Sequence, residues 1–430
     1  MRILVVGAYG LIGTYVSTRL VADGHEVTGL GRRTADAARR LPALRWIAGD
    51  LRAMTGEGSW TEPLRDIEAV VNCAGVLQDG PKDEVASVQA DAMRALFRAC
   101  ENSGVRRLIH FSAPPSGSGT LFETTKQEAD KALAASTLDW LILRPALVLS
   151  PQAYGGSALL RGLAALPFCR PSIAGARPLQ IVSIFDVAET VSRALRNPAH
   201  ARRIYDLAHP EKIALDDLVV LLREWLGLAP VPALRLPGWF VACVAALADG
   251  AGRFGWRSPA RTTALRELSH GIDAHPEGWI EDWVAEPAAL QDILAAHPAT
   301  VQERRFALGY FLKPLGLVAL GLFWIASGIL GLGAARSEAA QALVAGGFSA
   351  GVASAAVIGG SLVDIALGGA VLFARTARLA LIGMLGVSLI YLIAATILLP
   401  GLWLDAFGAL LKVIPAMIAA LAMLALLPDR

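Results

Sequence analysis

The stretch Met1-Arg-Ile-Leu-Val-Val-Gly-Ala-Tyr-Gly-Leu-Ile-Gly13 reads as a strand, a glycine turn and the start of a helix. Residues 3–6 are apolar and rich in β-branched side chains, which suits a buried parallel strand. Gly7, Gly10 and Gly13 then recur every three residues. In such a turn the first glycine permits the tight bend and the second lets a pyrophosphate approach the backbone. The third lets the helix pack on the strand, and the helix N-terminus faces the phosphates. Leu11, Ile12, Val16 and Leu20 supply the apolar face of that helix.

Outward from this turn, residues 1 to about 300 alternate strands with helices. Further strands are expected at 26–30, 44–47, 69–72, 108–111 and 140–143, and a helical stretch at 85–102 is closed by Gly104. The strands end in small or polar residues: Asp50 after the third, Asn72-Cys-Ala-Gly75 at the fourth, Ser112 at the fifth and Arg144-Pro145 at the sixth. An open α/β sheet binds its ligand at those ends. The expected fold is therefore α/β, a Rossmann-type doubly wound parallel sheet with a small substrate or cap region.

The C-terminal third is of another kind. The chain has 430 residues, 54% of them hydrophobic and 18% charged, and a mean hydropathy of +0.50. That is too apolar for an ordinary cytosolic enzyme, and the excess lies after Arg305. Apolar stretches at 311–333, about 357–374, 377–399 and about 406–427 each approach the roughly 20 residues that cross a bilayer as helix. Gly359, Gly360, Gly368, Gly369, Gly383 and Gly386 would let such helices pack closely. An all-α bundle of four transmembrane helices is expected. The domains are read as 1–230 for the sheet with its substrate region, 231–305 for a cap or linker, and 306–430 for the bundle.

Arg304, Arg305, Lys313, Arg375, Arg378 and Arg430 place the N-terminal region, the loop between the second and third spans and the C-terminus in the cytoplasm. No signal peptide is read at the N-terminus. Asp364 is expected to face the bundle interior and Lys412 to snorkel to the interface. Trp239, Trp256, Trp279 and Trp283 leave two readings open for the linker: an interfacial helix near 237–247, or aromatic cap core. Cys73, Cys100, Cys169 and Cys243 show no metal or redox spacing and read as reduced, buried small residues. No metal site is expected. The net charge of +2, with no basic cluster interleaved with aromatics, gives no sign of a nucleic-acid partner.

These motifs resemble the extended or atypical short-chain dehydrogenases/reductases (SDRs). Gly7, Gly10 and Gly13 match the Gly-x-x-Gly-x-x-Gly fingerprint, Asp50-Leu51 the adenine-contacting acid, and Asn72-Cys-Ala-Gly75 the Asn-Asn-Ala-Gly element. Leu143-Arg-Pro-Ala-Leu-Val148 and Ile184-Phe-Asp-Val-Ala188 resemble later family elements. The pattern is similar to NAD-dependent epimerase/dehydratase-like proteins, NmrA-like proteins and the SDR-like accessory subunit of mitochondrial complex I. It covers residues 1 to about 230 well, and the four spans resemble the DoxX-like membrane family. The resemblance implies dinucleotide contacts from Gly7, Tyr9, Gly10, Leu11, Ile12, Gly13, Arg32, Arg33, Asp50, Leu51, Cys73, Ala74, Gly75 and Lys126. Catalytic positions fall at Ser112 and Lys126.

Two departures bear on function. The second strand ends Gly31-Arg32-Arg33 with no acid, and guanidinium groups suit a 2′-phosphate, so NADP(H) is expected over NAD(H). The SDR tyrosine, four residues before Lys126, is Phe122, which has no proton to give. Three functions stay open. The first is an oxidoreductase acting on an apolar substrate such as a quinone or lipid of the bilayer, with its proton from Tyr154 or water. The second is a catalytically silent NADP(H) sensor or scaffold, and the third a sugar-nucleotide epimerase or dehydratase.

Overall fold

A computed structural model of the chain describes all residues except 82, 174, 257, 284–285, 405–407, 409 and 428–430. Its contacts divide it into two units. One comprises Met1–Asp249 with Ser258–Ala307, the other Gly250–Arg257 with Leu308–Arg430.

The first unit opens with β1 (Arg2–Val6), α1 (Leu11–Ala22), β2 (Glu26–Gly31), α2 (Thr34–Arg40), β3 (Arg45–Ala48) and β4 (Ala69–Asn72). There follow α3 (Ala92–Asn102), β5 (Arg107–Phe111), α4 (Leu121–Ala134), β6 (Asp139–Pro145), the short β7 (Leu147–Leu149) and α5 (Gly155–Ala164). Next come β8 (Arg170–Ile173), β9 (Ile181–Ser183), α6 (Ile184–Arg196), β10 (Arg203–Leu207), α7 (Leu215–Trp225) and β11 (Ala233–Leu236). Helices α8 (Gly238–Arg253), α9 (Thr262–His270), α10 (Glu277–Asp282), α11 (Leu290–Ala296) and α12 (Val301–Gly309) follow.

Seven strands form one parallel sheet in the order β10-β6-β5-β4-β1-β2-β3. Alternate residues of each strand point to opposite faces, and each face has its own core. Ile3, Val5, Ile109 and Leu141 pack with Val16 and Leu20 of α1 and Val187 and Val191 of α6. Leu4, Val6, Val70 and Leu108 pack on the other side with Met93 and Leu96 of α3 and Ala129 and Leu133 of α4. The chain leaves β1 toward β2 and β3, then returns to build β4, β5 and β6 on the opposite side. That reversal opens a crevice at the carboxyl ends of β1 and β4, where such sheets bind ligands. The seventh strand, β10, escapes the sequence reading because Arg203 and Asp206 interrupt its short apolar pattern. Pairing with β6 supplies what the pattern lacks.

The second unit contains α13 (Leu312–Leu332), α14 (Arg336–Ala345), α15 (Ala350–Val371), α16 (Ala377–Leu398) and α17 (Val413–Leu426). Among the described residues three helical stretches are long and apolar enough to cross a membrane: Val301–Leu332, Ala350–Val371 and Ala377–Leu398. The fourth is shorter than expected. Helix α17 has 14 residues, about 21 Å at 1.5 Å per residue, against a hydrocarbon core of about 30 Å. Ala406, where that span was to begin, lies outside the described residues, as does Arg430. Helix α14, in the first connection, was not anticipated.

Close packing of α13 on α15 rests on small residues. A Cβ added at Gly368 would lie 2.8 Å from Gly321 O, and one at Gly321 would lie 3.0 Å from Gly368 O. Gly360 faces Tyr391 and Gly383 faces Leu367, whereas Gly359, Gly369 and Gly386 border open space. Asp364 is buried; its carboxylate accepts from Tyr391 Oη at 3.3 Å and Ser327 Oγ at 3.4 Å. Lys412 is exposed just ahead of α17. All four cysteines are free thiols, as expected, but only Cys100 is buried: Cys73 and Cys169 are partly exposed and Cys243 is exposed.

Candidate dinucleotide site and its polar neighbours

Gly7 follows β1 with φ +76°, and its N–H donates to Leu30 O at 3.1 Å. A side chain here would be strained and would crowd the Ala74 backbone at 3.0 Å. At Gly13 a Cβ would overlap Gly7 O and lie 2.8 Å from Ala8 Cα, so the helix can sit this close to its strand only without one. Gly10 differs: a Cβ would meet only Gly7 O, at 3.2 Å, and its outer side is clear. The first bond within α1 runs from Thr14 N to Gly10 O at 2.9 Å. The N–H groups of Leu11, Ile12 and Gly13 therefore belong to the open end of the helix, where anions bind.

Beside this turn, the Tyr9 ring covers Gly31 at the end of β2, and its hydroxyl accepts from Arg32 N at 3.3 Å. The Arg32 guanidinium donates to Asp83 Oδ1 at 2.7 Å. Asp83 was missed in the sequence because it is 51 residues away, on the loop after β4. Arg33 is exposed at the start of α2. Asp50 accepts from Arg52 Nε at 3.0 and 3.1 Å, and this partner holds its carboxyl below the usual range. Leu51 packs at the edge of the core shared with α3 and α4.

The fourth-strand element is a buried polar corner. Asn72 Oδ1 accepts from Ala74 N at 3.1 Å and shapes the turn; Asn72 Nδ2 donates to His110 Nδ1 at 2.8 Å. Burial, helped by Lys126, pushes His110 well below its ordinary pKa, so its ring is neutral and can accept this bond. His110 Nε2 lies 3.8 Å from Asp130 Oδ1, and Asp130 is bonded to Arg144 at 2.8 Å. Arg144 of the Leu143-Arg-Pro segment thus pins α4 to β6. Cys73 lies at the edge of the core of the α1 and α6 face, partly buried.

Ser112 ends β5. It is buried, and its Oγ has no hydrogen-bond partner among the described residues. Phe122 and Lys126 are one turn apart on α4, Phe122 partly buried and Lys126 buried. Lys126 Nζ donates to Phe111 O at 2.7 Å and Ala74 O at 3.5 Å. A Cβ at Gly75 would sit 3.7 Å from Nζ. Burial lowers the Lys126 pKa to about 8, opposed by Asp130 and Cys73. Lys126, Gly75 and Phe111 thus meet where β4 and β5 end. Tyr154, by contrast, is exposed at the start of α5.

Two carboxylates unseen in the sequence shape the loop ahead of α4. Burial would raise Glu123, yet backbone N–H groups of Ser116, Gly117 and Gly119, each at 2.8 Å, hold it below its ordinary value. Glu267 of α9 accepts from Ser116 Oγ at 2.9 Å, Ser118 Oγ at 2.5 Å and Thr120 Oγ1. No local signal marks Glu267, whose partners are some 150 residues earlier.

The open helix end, the bare outer side of Gly10 and the orphaned Ser112 hydroxyl fit a dinucleotide laid across the ends of β1, β4 and β5. Residues 7–198 match the NAD(P)H-binding family, and residues 321–421 match the DoxX-like family. The chain is similar to dihydroflavonol 4-reductase of Zea mays, 23% identical over 278 residues, 55% of this chain and 77% of that one. It is also similar to sterol demethylase protein B of Methylococcus capsulatus, 29% identical over 277 residues, 58% of this chain and 81% of the relative. Among solved structures, dTDP-glucose 4,6-dehydratase DesIV of Streptomyces venezuelae with NAD bound superposes with a TM-score of 0.54 at 18% identity. It covers 71% of this chain and 98% of its own.

The chain therefore carries an NAD(P)-binding domain whose fold is shared with NAD-bound SDR and epimerase/dehydratase homologues. This chain joins such a domain to a C-terminal DoxX-like domain with candidate membrane-spanning helices.

Proposed function

We propose that the chain is a membrane-anchored NAD(P)H-dependent oxidoreductase for an apolar, bilayer-dissolved substrate such as a quinone or lipid, working without the usual phenol. One observation supports this above others. Two of the three polar groups of SDR chemistry, Ser112 and Lys126, are buried at the ends of the strands, and only the third position, Phe122, lacks a proton. A reduced nicotinamide held at the ends of β1 and β4 would supply the hydride. Ser112 Oγ is available to hold a substrate oxygen. Lys126 Nζ, anchored to Phe111 O and titrating near 8, exchanges a proton near neutral pH, directly or through water. Arg32 and Arg33 support NADP(H) as the preferred cofactor. The basic residues flanking the candidate spans support a cytoplasmic sheet domain.

A second reading, a silent NADP(H) sensor, is supported by Phe122 itself. Full-length protein in lipid nanodiscs, given NADPH and a short-chain quinone, separates the two. The oxidoreductase reading expects turnover, reduced roughly 10²–10⁴-fold in Lys126→Met, the usual worth of acid–base catalysis. No turnover by the wild type, with carbonyl reduction appearing in Phe122→Tyr, would establish the sensor instead.

A further inference from the structure

Helix α8 is unlike the other helices of its part of the chain. Its first eleven residues, Gly-Trp-Phe-Val-Ala-Cys-Val-Ala-Ala-Leu-Ala, hold no charged or strongly polar side chain, and only Ala245 among them is buried. Trp239 is 69% exposed and Leu247 is 75% exposed, with Phe240 and Val244 also open. Trp279 and Trp283, by contrast, are core residues, so the cap-core reading applies to that pair and not to Trp239. The apolar surface continues ahead of α8, where Leu234 on β11 and Phe168, just before the paired strand β8, are exposed. An uncovered run of this kind marks a partner.

The observations favour lipid as that partner. Eleven helical residues rise about 16 Å, too short to span a bilayer but long enough to lie in one leaflet. Exposed Arg235 and Arg253 bracket the run, as suits anionic headgroups, and Trp239 and Phe240 open it. From Gly250 the chain belongs to the unit of the candidate spans. There Trp256 Nε1 donates to Leu372 O at 2.6 Å, Ala374 N donates to Phe254 O at 3.0 Å, and the Phe254 and Phe373 rings meet edge-on at 4.9 Å. Phe254 and Trp256, just after α8, are thereby tied to the turn that follows α15, next to the basic residues Arg375 and Arg378.

We propose that α8 is an interfacial helix inserted into one leaflet, a membrane contact additional to the spans. The segment after it gives that contact a path to the site. Arg261 bonds Asp249 and the Asp79 carbonyl, Ser258 O accepts from Gln78, and Glu267 holds the Ser116–Thr120 loop. The strap from Ser258 to Glu267 thus grips both loops that border the dinucleotide site.

Cys243 lies on the helix and is exposed, so it can carry the label once the partly exposed Cys73 and Cys169 are replaced by serine. A nitroxide on Cys243 of the full chain, in phosphatidylcholine/phosphatidylglycerol nanodiscs, should collide more with oxygen than with a water-soluble nickel chelate. A label on Glu62→Cys in the same background with Cys243→Ser added should show the inverse ratio. Free access of the nickel chelate to position 243 would overturn the proposal. Protection from both quenchers would overturn it too, since that marks protein contact, as with a second copy of the chain.

Discussion

Arg32 shows how a residue's meaning depends on a partner the local sequence does not reveal. Two arginines after β2 read as phosphate ligands, yet Asp83 engages Arg32 at 2.7 Å. A 2′-phosphate must share that guanidinium with a carboxylate. If it does, Arg32→Glu should weaken NADPH binding by about 1–3 kcal/mol and spare NADH. Asp83→Asn should strengthen NADPH selectively. Calorimetry that finds both cofactors equally affected would remove the assignment. Lys126 yields a pH dependence. Its folded pKa is about 8 against an ordinary 10.5, so between those values the unfolded chain binds more protons and stability rises with pH. The cost of the buried ammonium is complete below pH 8 and relieved toward pH 10.5, about 3 kcal/mol in all. Relative to Lys126→Met, the cofactor-free wild type should gain that much over this range, read from urea midpoints by near-ultraviolet circular dichroism. A flat difference would mean that Nζ is hydrated.

The opening strand–turn–helix unit separates two uses of glycine that the sequence writes alike. A side chain at Gly10 would project into the space above the turn, while one at Gly13 would enter the Gly7 and Ala8 backbone. Gly10→Val is expected to fold and to lose dinucleotide binding, because the branched side chain fills the pyrophosphate position. Gly13→Val is expected to lose stability by about 1–3 kcal/mol or more, the range of overpacking. Thermal melts paired with cofactor titration tell the two apart. Retained binding by a folded Gly10→Val would move the cofactor off this turn. Helix α17 poses a different question of elements. Pro415 falls in its first turn, where the missing N–H is tolerated, so the helix begins late and is left with 14 residues.

For the whole molecule, topology follows from whether α17 crosses. The charge asymmetry of the sequence predicts that the sheet domain, the Arg375–Arg378 segment and the C-terminus share one side of the membrane. A reporter fused after Arg430 should be cytoplasmic, and one inserted at Gly401 should be on the opposite face. Both reporters on one side would show that α17 does not span. Asp364 lies inside the helical unit, with polar partners on two other helices. That interior placement is the one expected of an ionisable residue in a membrane bundle.

The sequence by itself determined the strand–glycine–helix opening, six of the seven strands of the sheet, the Ser112, Phe122 and Lys126 positions, and an apolar C-terminal third. Each is a local pattern, set by side-chain periodicity, backbone sterics or hydropathy, and such patterns survive without knowledge of partners. Only the tertiary structure decided the rest. Strand β10 is completed by pairing with β6, Arg32 is matched by Asp83, and Glu267 reaches a loop some 150 residues earlier. The run of polar contacts from Asn72 through His110 to Asp130 and Arg144 likewise draws on β4, β5, α4 and β6. The tryptophans that looked alike were divided by burial, Trp279 into the core and Trp239 to the surface. Hydrogen bonds and burial across such separations depend on where the sheet order and loop closures bring distant segments, and no short window of sequence carries that information.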